Sequence, residues 1–157
     1  MNYLSYKPID HLNGEGFRCV LHCSGCTHHC KGCFNKESWK FSNGIAFDEN
    51  IQEQILKDLS HDYIAGLTLS GGDAMHPRNA ADLIPFVKIA KELLPEKNIW
   101  CYTGYLLENI LNNPVQKELL DLVDVLVDGP FVKELADPSL KFRGSSQQRI
   151  LHKGIDF

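Results

Sequence analysis

Apolar and polar residues alternate along this chain with two different periods, and the change of period divides it into short strands and helices. Residues 17–22 read as a strand running into a cysteine-rich loop. Behind Asp48, which suits an N-cap, Ile51, Ile55, Leu56 and Leu59 recur at helical spacing. A second strand covers 65–70 and stops at Gly71-Gly72. From 79 to 94, Leu83, Phe86, Val87, Ala90 and Leu94 share one helical face, and Pro85 is expected to kink or shorten that helix. A third strand follows at 98–103, then helical material to about residue 122. The fourth strand, 123–128, is nearly all apolar, as in a parallel sheet covered by helices.

Strand alternating with helix predicts an α/β fold with right-handed crossovers, mostly parallel strands, and ligands at the strands' carboxyl ends. With no internal repeat and no long Pro/Gly/Ser linker, residues 1–157 read as a single domain. Within it lie a loop at 24–35 and a flexible tail from about 143 to 157, where Lys141, Arg143, Arg149 and Lys153 stand amid Gly and Ser without apolar periodicity. At 157 residues the chain is too short for a complete eight-fold β/α barrel, which takes about 250. A barrel-like architecture here must be partial.

Composition narrows the function classes. With 16 Lys+Arg against 20 Asp+Glu the net charge is −4, which offers no electrostatic footprint for nucleic acid. No window approaches the roughly 18 apolar residues of a membrane span, and the first residues lack an export signal. A soluble cytoplasmic protein with no membrane partner is expected.

Five of the six cysteines fall at 19, 23, 26, 30 and 33, while Cys101 stands alone. Without an export signal, metal or redox chemistry explains this density better than a disulfide framework. Cys26, Cys30 and Cys33 supply three thiolates from an eight-residue loop, short enough to wrap one face of a 4Fe-4S cluster. Three ligands for four irons leave one iron open, whereas a cluster that only shuttles electrons is held by four cysteines. The same spacing recurs at Cys19, Cys23 and Cys26. There, however, the first two flank an extended Val20-Leu21-His22 that would hold them roughly 13 Å apart. The later register follows Ser24-Gly25 and contains Gly32, so its backbone can curl; Cys19 and Cys23 then read as small buried hydrophobes. Zinc is the alternative: Cys23, Cys26, Cys30 and Cys33 could make a four-thiolate site, with His22, His28 and His29 nearby. Zinc ribbons usually separate their cysteine pairs by about 15–20 residues. A thioredoxin-like reading of Cys23-Ser24-Gly25-Cys26 leaves Cys30 and Cys33 unexplained.

The loop Cys26-Thr27-His28-His29-Cys30-Lys31-Gly32-Cys33-Phe34-Asn35 resembles the cluster loop of radical S-adenosylmethionine (SAM) enzymes, and more narrowly of glycyl-radical activating enzymes. Further motifs follow in the order found in activators of anaerobic ribonucleotide reductase. They are Asn13-Gly14-Glu15-Gly16, Leu69-Ser70-Gly71-Gly72-Asp73 with His76-Pro77, Tyr102-Thr103-Gly104-Tyr105, 124–129 and Arg143-Gly144-Ser145-Ser146. The likeness covers nearly the whole chain. It departs at Glu15, where the family commonly has Pro, and at Ala74-Met75, which replaces a Pro-Leu pair; neither position supplies a cluster ligand.

The resemblance implies a truncated radical SAM partial β/α barrel and an oxidoreductase. In the family, SAM chelates the open iron, one electron breaks its carbon–sulfur bond, and a 5′-deoxyadenosyl radical takes hydrogen from a glycine of the partner. It implies Cys26, Cys30 and Cys33 as metal ligands, with Gly32, Cys33, Phe34, Asn35, Gly71, Gly72, Asp73 and Thr103 around SAM. The Asp73 carboxylate would accept from the SAM ammonium group. Thr103-Gly104 and Asp128-Gly129 read equally as pocket or as ordinary turns. The implied partners are anaerobic ribonucleotide reductase, docked in part by the tail, and an electron donor such as flavodoxin; a homodimer stays open. His28 and His29 are expected to point to solvent, and Trp39 and Trp100 to pack. The rivals are an activase of another glycyl-radical enzyme such as pyruvate formate-lyase, generally longer than this chain, and a non-catalytic zinc or iron–sulfur module.

Overall fold

Four apolar segments form the parallel centre of one seven-stranded sheet in the computed structural model, which describes residues 1–33 and 35–157. The strands are β1 (Asn2–Asp10), β2 (Phe17–Cys23), β3 (Ile45–Ala46), β4 (Ile64–Gly71), β5 (Asn98–Tyr102), β6 (Val125–Asp128) and β7 (Arg149–His152). They lie in the order β3-β1-β2-β4-β5-β6-β7. β2, β4, β5 and β6 pair in parallel, while β1 with β2, β1 with β3, and β6 with β7 are antiparallel. Five of the seven strands therefore point the same way, as an α/β fold requires. Helices α1 (Glu49–Leu59), α2 (Pro77–Leu93), α3 (Leu107–Ile110) and α4 (Pro114–Leu120) occupy the crossovers.

Period-two alternation decides which residues meet those helices. Cys19, Leu21 and Cys23 of β2, Leu67 and Leu69 of β4, and Ile99 and Cys101 of β5 pack into one core. Ile55, Leu59, Leu83, Phe86, Val87, Leu119 and Leu120 meet them there from the helices. Trp100, Val125 and Val127 form a second, smaller cluster, joined by Phe142 and Ile150. No helix among the described residues is long and apolar enough to cross a membrane.

Arg18 is fully buried and rests on the Trp100 ring. Its guanidinium donates to Thr68 Oγ1 at 2.8 Å and to the carbonyls of Glu15, Leu67 and Asn98 at 3.0–3.1 Å. Burial pushes its pKa down to about 10, and these acceptors offset the desolvation of the cation. Arg18→Ala orphans buried carbonyls as well as losing a side chain. A cost of about 3 kcal/mol is expected, seen as a melting temperature lower by about 6–12 °C; an unchanged melting curve would refute this bracing role.

Three expectations need correction. α2 runs unbroken through Pro85, because Pro85 sits on the exposed side of the helix, where a freed carbonyl can turn to water, and Leu83, Ile84, Phe86 and Val87 anchor the other side. β1, β3 and β7 had no period strong enough to announce them: β1 is half-exposed and the other two have two and four residues. The tail, expected as a flexible end, carries β7, paired with β6 from Val125↔His152 to Asp128↔Arg149. Asp128, fully buried, holds it by accepting from Arg149, which also makes two 3.0 Å bonds to Glu108. Truncation beyond Arg143 would remove a strand of the sheet. It cannot separate docking from folding.

Candidate metal centre

The cysteine loop leaves β2 at the carboxyl end of the sheet and is fastened to the turn after β4. Gly72 donates its N–H to Cys23 O at 2.7 Å, and Asp73 donates to Gly25 O at 2.8 Å. The Asn79 amide, 1% exposed on the first turn of α2, donates to the carbonyls of Ser24, Gly25 and Asp73. His76 caps α2 by accepting from the Arg78 N–H, and Pro77 opens the helix with a preset φ. On the far side, Gly25 and Cys26 donate to Ser38 O and Trp39 O of a short 3₁₀ turn, Lys36–Trp39.

Two glycines allow this close approach. Gly71 has φ +97°, and a Cβ there would lie 2.4 Å from the Cys23 nitrogen; one on Gly72 would lie 2.6 Å from Gly25 O. Main chain would be hit in both cases, and main chain cannot swing aside.

The six cysteines divide by environment. Cys26, Cys30 and Cys33 are half-buried and line a cleft of about 170 Å³ with Gly71, Gly72, Asp73 and Thr103. Cys19, Cys23 and Cys101 are buried in the core. Burial pushes the Cys23 thiol up to about 12, and Cys19 donates to Pro8 O at 3.4 Å. Cys23 sits in the core and does not line the cleft, so a four-thiolate set that includes it is not assembled. Burial also raises Cys26, to about 11, against the backbone N–H groups of His28 and His29, which favour its thiolate. Those N–H groups suit a sulfur that carries charge in a metal complex.

Asp73 is the hub between the loop and the strands. It is 1% exposed and accepts from Met75 N–H at 2.9 Å, Thr103 Oγ1 at 2.8 Å, Gly104 N–H at 2.9 Å and His28 Nε2 at 2.7 Å. His28 thus points inward, contrary to expectation. Cys26, His28 and Asp73 form a trio of potential ligands whose donor atoms lie within 4.8 Å of one another. His29 keeps the outward side and stacks on Trp39 at 4.3 Å.

Of the residues expected around SAM, Cys33, Gly71, Gly72, Asp73 and Thr103 meet in the cleft. Gly32 and Asn35 are exposed and do not line it. Phe34 lies outside the described residues. Both turns read two ways reach the cleft, through Thr103 and Gly104 and through Gly129, while Asp128 does not line it. His28, Ser38, Tyr102, Phe131 and Gln148 line it as well and were not expected to. Tyr102, which ends a strand beside Thr103, and His28, which lies between Cys26 and Cys30, carried a positional signal; Ser38, Phe131 and Gln148 carried none. A second cavity of about 420 Å³ continues from the first through Cys33, Gly71, Tyr102, Phe131 and Gln148. Three half-buried thiols on one short loop, with Gly71 and Gly72 across the cleft, suit the ligation of an iron–sulfur cluster.

Residues 12–151 match the family described as a 4Fe-4S single cluster domain. The chain is 52% identical over 152 residues to the anaerobic ribonucleoside-triphosphate reductase-activating protein of Pasteurella multocida, covering 96% of each chain. The protein of the same name from Escherichia coli K12 is 46% identical over 154 residues, covering 97% of this chain and 99% of the relative. That of bacteriophage T4 is 43% identical over 150 residues, covering 96% and 93%.

Proposed function

The chain belongs to the family of anaerobic ribonucleoside-triphosphate reductase-activating proteins, and from that membership we propose that it activates an anaerobic ribonucleotide reductase by installing a glycyl radical on it. The observation that carries the reading is the meeting of Cys26, Cys30 and Cys33 with Gly71, Gly72 and Thr103 in one cleft at the carboxyl ends of parallel strands. The parallel centre of the sheet is read as a truncated radical SAM partial barrel.

Cys26, Cys30 and Cys33 would hold a 4Fe-4S cluster. Bound there, the cluster would pass one electron, received from an external donor, to the reductive cleavage of SAM that serves hydrogen abstraction from a glycine of the reductase. The residues of this chain bind, orient and exclude water. Gly71 and Gly72 present bare main chain to the cosubstrate, while Tyr102 and Phe131 wall the passage into the second cavity. Gly32, Phe34 and Asn35, which flank Cys33, are assigned to SAM on family likeness alone. An electron donor such as flavodoxin and a cytoplasmic setting complete the reading.

Anaerobic reconstitution with iron and sulfide tests it. Brown protein is expected, with an EPR signal in the reduced state that changes on adding SAM, and a glycyl radical should form when reductase and reductant are present. Colourless protein with stoichiometric zinc would instead make this a metal-binding module.

A further inference from the structure

We infer that His28 and Asp73 are a positioning pair that pins the cysteine loop to the strand ends, and that the Asp73 carboxylate is not the acceptor for the ammonium group of SAM. The inference rests on the cluster reading above. An ionised carboxylate offers about four acceptor sites. Oδ1 of Asp73 takes Met75 N–H and Thr103 Oγ1, and Oδ2 takes Gly104 N–H and His28 Nε2, so protein donors already fill them. Asp73 borders the cleft but is only 1% exposed, and the donors it already holds occupy both of its oxygens. An incoming ammonium would have to displace either a buried N–H, which would be left without a partner at a cost comparable to a lost hydrogen bond, or His28 itself.

Because a carboxylate only accepts, His28 is the donor in the 2.7 Å contact, through Nε2. Its ring meets Tyr105 edge-on at 4.5 Å and lies over Gly104, where a Cβ would come within 2.5 Å of it. On the other face of the loop, His29 stacks on Trp39 while holding φ +48°. A non-glycine residue stays in that left-handed region only where its surroundings enforce it. The segment between Cys26 and Cys30 is therefore clamped from both sides, with its N–H groups directed at the Cys26 sulfur. Groups that orient metal ligands in this way typically change metal retention 10–100-fold when removed.

The test uses the full chain, reconstituted anaerobically, with two readouts: the rate at which a ferrous chelator strips iron, and the SAM concentration that half-converts the EPR signal. His28→Ala should lose iron roughly 10-fold faster, a larger change than any in its SAM midpoint. His28→Gln, which restores an amide donor, should recover most of the retention. Asp73→Ala, which also strips Met75 N–H, Thr103 Oγ1 and Gly104 N–H of their acceptor, should lose iron at least as fast as His28→Ala, and the double variant should be no worse than Asp73→Ala. Should Asp73→Ala fail to fold, the two His28 variants still decide. Wild-type iron loss in His28→Ala, or no recovery in His28→Gln, would overturn the inference. So would an Asp73→Ala protein that keeps its iron but needs about 10-fold more SAM. Wild-type protein that takes up no iron and sulfide would overturn the cluster reading itself, and this inference with it.

Discussion

Protein carrying Cys26→Ala, Cys30→Ala or Cys33→Ala is expected to emerge colourless from anaerobic reconstitution and to cleave SAM only at the uncatalysed background. Cys19→Ala should stay brown and active. Each of the three loop thiols reaches the cleft from a different point of one short loop, so none can substitute for another. Cys19 is wholly buried among core side chains and does not line the cleft. Its loss leaves a small cavity worth roughly 1 kcal/mol, which lowers the melting temperature by about 2–4 °C without touching the metal. Iron and sulfide content together with SAM turnover check this series. A colourless Cys19→Ala beside a brown Cys33→Ala would reverse the register.

Gly71→Ala should be nearly as damaging, by a different route. At φ +97° a side chain is strained by roughly 1–2 kcal/mol. The new Cβ would also press on the nitrogen and carbonyl of Cys23 at 2.4 and 2.6 Å. Forcing an extra carbon into a packed site adds about 1–3 kcal/mol. The expected total of about 2–5 kcal/mol should lower the melting temperature by about 4–20 °C. Because Gly71 lines both cavities, whatever folds should also bind SAM more weakly. Thermal melts and the SAM-dependent EPR change measure the two parts separately. Normal stability with normal SAM response would mean that β4 and the cysteine loop are not in the contact described.

Much of the fold was legible because its central strands bury both faces. The apolar runs at 65–70, 98–103 and 123–128 became β4, β5 and β6 with their ends moved by up to two residues. β7 was not legible, since its four residues are held by pairing with β6 and by the Asp128–Arg149 contact, neither of which leaves a local pattern. Pro85 misled for a related reason. Its effect on α2 depends on which side of the helix meets water, and that is settled by packing.

The centre divides along the same line. Three cysteines in eight residues announce their chemistry from the chain alone, because ligands so close in sequence can reach one metal site whatever the rest of the molecule does. Gly71-Gly72 likewise marks a place where main chain must pass close to something. What that something is, and where His28 turns, depended on the strand ends being brought side by side. Asp73 meets Thr103, 30 positions on, and His28, 45 positions back, only once β2, β4 and β5 are aligned in the sheet. A carboxylate's role follows from the donors that surround it, and donors that distant in the chain are assembled by the tertiary fold.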